Sequence, residues 1–161
     1  MADILFKTDS YVFSYRVGGV LIQGDKMLLQ RVPGDDGYAL IGGHVAFGET
    51  TAETLTREFK EEIRADIKIE RLLMVGENFF PWGDRPCHQI NLYYLVSLTD
   101  EAQIPLEGSF KAIDELGNER IDLDMCWVSL KDLPNIIVYP TEAKEYIINI
   151  PNEIVHFIYK E

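Results

Sequence analysis

Cysteine is scarce in this chain, and the pair present, Cys87 and Cys126, stand far apart in the sequence. A disulfide scaffold needs more, so both are read as buried or free thiols, and neither is assigned to a disulfide or a metal. Histidine is equally thin: His44, His88 and His156 are dispersed and lack the paired spacing of a zinc site. No apolar run approaches the roughly 18 to 20 residues that a spanning helix needs. Met1 to Phe13 scatters Asp3, Lys7 and Asp9 among apolar residues, unlike the basic-then-apolar layout of a signal peptide. A membrane is therefore not an expected partner, and the default expectation is a cytoplasmic location. Basic residues are also few, 15 against 27 acidic ones, for a net charge of −12. Such a field repels polyanions, which argues against a long nucleic acid as partner. A small phosphate-bearing substrate would need divalent cations between itself and so acidic a protein.

What remains is ordinary for a soluble globular chain: 161 residues, 47% hydrophobic and 26% charged, enough for one core and a single domain over 1–161. Tyr11 to Gln23 and Lys26 to Val32 are rich in apolar and β-branched residues, and Gly24-Asp25 between them suits a two-residue hairpin turn. Pro33 to Gly37 is dense in turn formers, so a loop is expected on the way into Gly42-Gly43. Thr50 and Glu53 have the spacing of a capping box, and Ala52, Leu55, Phe59 and Ile63 recur as one buried helical stripe. Ile67 to Val75 and Ile90 to Leu98 are expected strands, separated by an aromatic loop from Asn78 to Pro86. Asp100 to Asp124 is expected to be mostly loop, with a short strand at Trp127 to Ser129, a second helix at Thr141 to Ile148 and a closing strand at Val155 to Tyr159. This order implies an α+β or α/β/α layered domain.

The chemistry sits on the first helix. At about 100° per residue, Glu58, Glu61 and Glu62 share the sector beside the buried stripe, with Glu58 and Glu62 nearest its edge and Glu61 turned further toward water. Like charges at these spacings cost roughly 0.2 to 0.5 kcal/mol per pair, so folding alone does not favour them. A solvated acidic face is the plain alternative. Context favours a hard cation, since Mg²⁺ commonly pairs one or two carboxylates with waters and phosphates. Gly42-Gly43 and Glu49 lie just ahead of the helix, and Arg57 stands beside Glu58 where it can orient a carboxylate.

Gly43, Glu49, Arg57-Glu58-Phe59 and Glu61-Glu62 together resemble the Nudix box, here Gly43 to Ala65. The hairpin ahead and the strands behind extend the likeness over most of the chain. The fold it implies is an α/β/α sandwich with a mixed sheet, the glutamate helix following the second hairpin strand. Two departures stand out. Arg64 occupies the place where the family usually has a glycine, which would suit a left-handed helix stop, and Leu40-Ile41-Gly42-Gly43 replaces the common Leu-Pro-Gly-Gly.

The resemblance implies Mg²⁺-dependent water attack on phosphorus in a nucleoside diphosphate derivative, with Mn²⁺ as a possible substitute. It implies metal ligation by Glu58, Glu61, Glu62 and the Gly42 carbonyl, with Glu49 and Arg57 organising them. Arg31 is a candidate phosphate contact, or a surface charge. Glu107, Asp114 and Glu115 are candidate general bases, as are the box glutamates themselves. Phe79, Phe80 and Trp82 could stack on a nucleobase or serve as packing. Pro81 falls near a proline found in ADP-ribose-cleaving relatives, a weak signal that leaves the substrate open. His44 is a candidate substrate contact, and dimers are common in the family. The competing functions are a non-catalytic nucleotide-binding or regulatory module, which loss of box carboxylates would signal, and a calcium-binding domain, for which no suitable loop exists.

Overall fold

The computed structural model describes residues 2–116 and 119–161, apart from the side chains of Glu115 and Leu116. Strand β1 is Leu5–Lys7, β2 Val12–Gln23, β3 Lys26–Arg31, β4 Gly37–Ala39 and β5 Ile41–His44, followed by helix α1, Thr51–Ile63. Then come β6 Ile67–Trp82, β7 Arg85–Leu98, β8 Ser109–Leu116, β9 Glu119–Ser129, β10 Ile137–Tyr139, α2 Ala143–Ile148 and β11 Val155–Lys160. The main sheet path is β10-β4-β3-β2-β7-β6-β11, with β1 and β5 added on β2 and the β8–β9 hairpin on β3. Both parallel and antiparallel pairs occur, so the mixed sheet expected from the sequence is present.

Strand β2 organises the whole. It runs parallel to β7 from Val12 to Leu21, and pairs in turn with β1, β5 and β3. Because side chains alternate along a strand, its two faces enter different cores. Val17 and Leu21 join Leu55, Phe59 and Ile63 of α1. Val20 joins Tyr93, Phe157 and the α2 residues Ala143 and Ile147. Leu55 and Phe59 are fully buried, each contributing about 1.5–3 kcal/mol on the usual transfer scale.

Four expectations are corrected. Gly42-Gly43 is part of β5 rather than a loop, and the two short strands β4 and β5 intervene between the hairpin and α1. The aromatic segment Asn78 to Pro86 is the far end of the β6–β7 hairpin, turning at Gly83-Asp84. Pro81 is tolerated there because its partner is Pro86 and β11 reaches only to Phe79, so no ladder hydrogen bond is lost. Most of Asp100 to Asp124 is strand: in β9, Ile121, Leu123 and Met125 alternate with Arg120, Asp122 and Asp124, a half-buried pattern whose charged half resembles a loop. The second helix begins at Ala143 rather than Thr141.

The α1 capping box forms as the spacing predicts: Glu53 N–H donates to Thr50 Oγ1 at 3.2 Å, and Thr50 N–H donates to Glu53 Oε2 at 2.7 Å. At the other end Arg64 adopts the left-handed conformation, φ 59°, while its N–H reaches the Phe59 carbonyl. The glycine-type helix stop is thus kept without glycine. A non-glycine residue held there costs roughly 1–2 kcal/mol. Arg64→Gly should therefore stabilise the fold by about 1 kcal/mol, raising Tm by roughly 2–4 °C; a lowered Tm would show that the Arg64 side chain outweighs the backbone cost.

Candidate active site

Residues 16 to 19 of β2 pair antiparallel with Ile41–His44 of β5, placing Val17 opposite Gly43 and Gly18 opposite Gly42. Neither glycine has room for a side chain: helix α1 closes on Gly43, and the β2 backbone closes on Gly42. A Cβ on Gly43 would stand 2.4 Å from the carboxylate carbon of Glu58, and one on Gly42 would stand 2.0 Å from the Val17 carbonyl oxygen. Glycine here makes space for a carboxylate to lie on bare backbone.

Arg57 holds the acids in place. Its Nε donates to Glu49 Oε1 at 3.0 Å and its Nη2 to Glu49 Oε2 at 3.1 Å, while its Nη1 donates to Glu58 Oε1 at 2.8 Å and Glu61 Oε2 at 3.1 Å. This two-pronged grip fixes both the position and the plane of Glu49. Thr54 Oγ1 adds a bond to Glu49 Oε2 at 2.7 Å. The Arg57 hydrogen bonds hold the Glu49 carboxyl below its ordinary pKa, and those same bonds push the guanidinium value up.

The remaining acids face a pocket of about 870 Å³ lined by Gly43, Glu58, Glu61, Glu62, Asp114 and Arg16, among others. Burial raises the Glu58 pKa against the pull of Arg57. Glu62 is 7% exposed, and neither carboxylate oxygen has a hydrogen-bond partner among the described residues. Burial first, then the charges of Asp114 and Glu58, push its pKa to about 9. Asp114 on β8 is also raised, by burial foremost and then by Glu61, against the opposing pull of Arg16. His44 is buried with its Nε2 unpartnered among the described residues, and burial aided by Arg16 and Lys7 lowers its pKa to about 3. It is neutral near pH 7.

The structure brings Gly42, Glu49, Arg57, Glu58, Glu61 and Glu62 together. Glu61 is 59% exposed at its side chain against 12% for Glu58, the order that the helical wheel implies. Phe80 and Trp82 share one face of β6 and line a second cavity, whereas Phe79 turns to the opposite face, its ring centroid 4.3 Å from that of His88. Arg31 lines neither cavity and lies 4.9 Å over the Tyr38 ring. Glu107 is 87% exposed beside Lys26, Asp114 is in the pocket, and the Glu115 side chain lies outside the described residues. Arg16 was not anticipated; its Nη2 donates to the Gly42 carbonyl at 3.3 Å. It is the one basic residue in Tyr11 to Gln23, a signal available in the sequence.

A divalent cation fits this donor set. Among the described residues no group of three or more His, Cys, Asp or Glu side chains is arranged to hold an ion by itself. Mg²⁺ needs none, because it keeps several waters and takes one or two carboxylates plus substrate phosphates. The unpartnered Glu62 oxygens are donors without another function in the fold. The Gly42 carbonyl has two lone pairs, so the bond from Arg16 leaves one free.

Comparison with known proteins shows the family of the chain and relatives of its fold. A family model described as NUDIX domain matches residues 13–148. The fold is similar to that of a NUDIX hydrolase from Nitrosomonas europaea, with 18% identity, a TM-score of 0.60, and coverage of 96% of this chain and 82% of that one. It is also similar to an ADP-ribose pyrophosphatase from Streptococcus suis, with 16% identity, a TM-score of 0.57, and coverage of 89% and 98%. A UDP-X diphosphatase matches with 19% identity and a TM-score of 0.55 over 88% of this chain, which spans 66% of that protein.

The Glu62 environment generates a measurable pH effect. Its carboxyl binds a proton more tightly folded, at about 9, than at the ordinary value of 4.5, so its contribution to stability is greatest below pH 4.5 and is lost as pH rises toward 9. In EDTA, Glu62→Gln should raise Tm by at least about 3 °C, on the order of 1 kcal/mol, and by more at pH 9 than at pH 5. An equal or lower Tm throughout would mean that the carboxylate is satisfied where it stands.

Proposed function

Because this chain belongs to the Nudix family, whose members are phosphoanhydride hydrolases, we propose that it cleaves the diphosphate linkage of a nucleoside diphosphate derivative with Mg²⁺, Mn²⁺ serving as a substitute. The observation that carries this reading is Glu62: a carboxylate almost wholly buried, unpartnered among the described residues, and facing a pocket shared with Glu58, Glu61 and Asp114. Removing one oxygen-bearing group from water without a partner costs on the order of 1–3 kcal/mol, a cost that a fold serving structure alone has no reason to bear.

Glu58 and Glu62 are the principal metal ligands in this reading, with Glu61 and the Gly42 carbonyl supporting them. Bound there, Mg²⁺ would activate the attacking water and neutralise the phosphates. Arg57 and Glu49 keep the glutamates oriented. Arg16, on the pocket wall, would meet a phosphate that reaches past the acids, and Asp114, which shares that wall with two further acids outside the helix, Asp3 and Asp122, would accept a proton from water. Attack on phosphorus forms a new P–O bond, breaks the bridging P–O bond, and releases two phosphate-bearing products.

Turnover should vanish in excess EDTA and return with Mg²⁺ or Mn²⁺, followed by mass analysis across ADP-ribose, nucleotide sugars, dinucleoside polyphosphates and nucleoside triphosphates. Full activity in EDTA would sink the mechanism. Glu58→Gln and Glu62→Gln should each lower kcat at least about 10²-fold, the upper part of the range for lost metal-site support, with a smaller loss for Glu61→Gln. If Glu61→Gln were the most damaging, the ranking of ligands would be wrong even though the hydrolase assignment stood.

A further inference from the structure

Five basic side chains line the acidic pocket: Arg16, Arg57, Arg64, Lys111 and Arg120. Four of them are already engaged. Arg16 donates to the Gly42 carbonyl, Arg57 to Glu49, Glu58 and Glu61, and Lys111 to Asp124, while Arg120 Nε lies 3.6 Å from Asp122 Oδ1. The Arg64 guanidinium meets no acceptor among the described residues, and its side chain is exposed on the pocket wall.

The backbone makes arginine a costly choice at this position. Among the described residues every other position with a positive φ is glycine, and where a larger residue takes the left-handed conformation asparagine is the usual one. Two structural explanations fall short. A cation is attracted to the C-terminal end of a helix, but at an exposed site that attraction is smaller than the left-handed penalty. Lys60 already supplies a cation in the last turn. Packing offers nothing in return either, because the side chain is not buried. A strained residue kept without a structural gain is the pattern found where a ligand is met.

We infer that Arg64 is a specificity-determining residue that meets a third phosphate, so that the pocket prefers a nucleoside polyphosphate chain to a diphosphate capped by a neutral sugar. Arg64 follows Glu58 by six residues, which at 1.5 Å per residue carries it about 9 Å further along the helix axis, past Glu61 and Glu62. The inference rests on the proposed function, in which Glu58 and Glu62 hold the metal-bound diphosphate. Beyond that diphosphate stands an unpaired guanidinium, whose planar fork matches phosphate oxygens in a two-pronged bond. A neutral sugar in the same place leaves it unpaired.

Binding alone tests this, without turnover. With Mg²⁺ present, the intact protein is titrated by calorimetry with uncleavable methylene-bridged analogues of a nucleoside triphosphate and of a nucleoside diphosphate sugar, each carrying the four common bases in turn. For at least one base the triphosphate analogue should bind about 10-fold or more tightly than the sugar analogue, the factor expected of one charge-assisted contact. Arg64→Gly should bring the two affinities toward parity while raising Tm, and Arg64→Lys should keep part of the preference. Lys60→Gln removes the same charge one turn earlier, from a side chain outside the pocket, and should retain the full preference. Arg64→Gln gives the same reading if Arg64→Gly does not fold. Equal affinity for the two analogues in the unaltered protein, no binding of any triphosphate analogue, a preference that survives Arg64→Gly, or an equal loss in Lys60→Gln would overturn the assignment. Hydrolysis is scored separately: turnover of nucleotide sugars alone leaves the proposed reaction standing while this inference falls, and an Arg64-dependent preference without turnover does the reverse.

Discussion

The Glu58 carboxylate occupies the space in which any side chain at position 43 would have to sit, and that close approach of helix to strand governs much of what surrounds it. It draws α1 down onto β5, so that Glu62, one turn further on, is carried below the surface. Leu55 and Phe59 on the neighbouring stripe fill the core beneath. Arg57 then becomes necessary, because a carboxylate pressed on bare backbone has few donors to satisfy it. The guanidinium supplies them, and by gripping Glu49 at the same time ties the segment before the helix to the helix itself.

Electrostatic strain is concentrated rather than spread. With 27 acidic residues available, many of the charges are solvated and contribute little either way. The raised carboxyls at Glu58, Glu62 and Asp114 converge on one pocket. Grouped acids with perturbed affinities for protons are the pattern expected where a fold yields stability to chemistry. Arg57 limits this strain at Glu58, and Arg16 limits it at Glu62 and Asp114.

Local pattern was sufficient for a good part of this protein. The hairpin turn at Gly24-Asp25, the capping box at Thr50 and Glu53, the buried stripe of α1 and the position of the glutamates beside it depend on contacts within a few residues, and these are written in spacing. Family likeness carried the mixed α/β fold. Other features depended on partners distant in the chain. Gly42-Gly43 is strand because β2 lies beside it, and the aromatic segment is strand because β7 folds back over β6. The charged half of β9 conceals an alternation that only pairing with β3 and β8 makes decisive. Phe79 parted from Phe80 and Trp82 once a strand, with its period of two, replaced the expected loop. The amides of Asn78 and Asn91 are unremarkable in their own neighbourhood, and Arg16 and Asp114 stand out there only as a lone basic residue in a strand and as one of several acids in a polar stretch. Their burial, and hence their chemistry, was set by which strands the tertiary fold laid side by side.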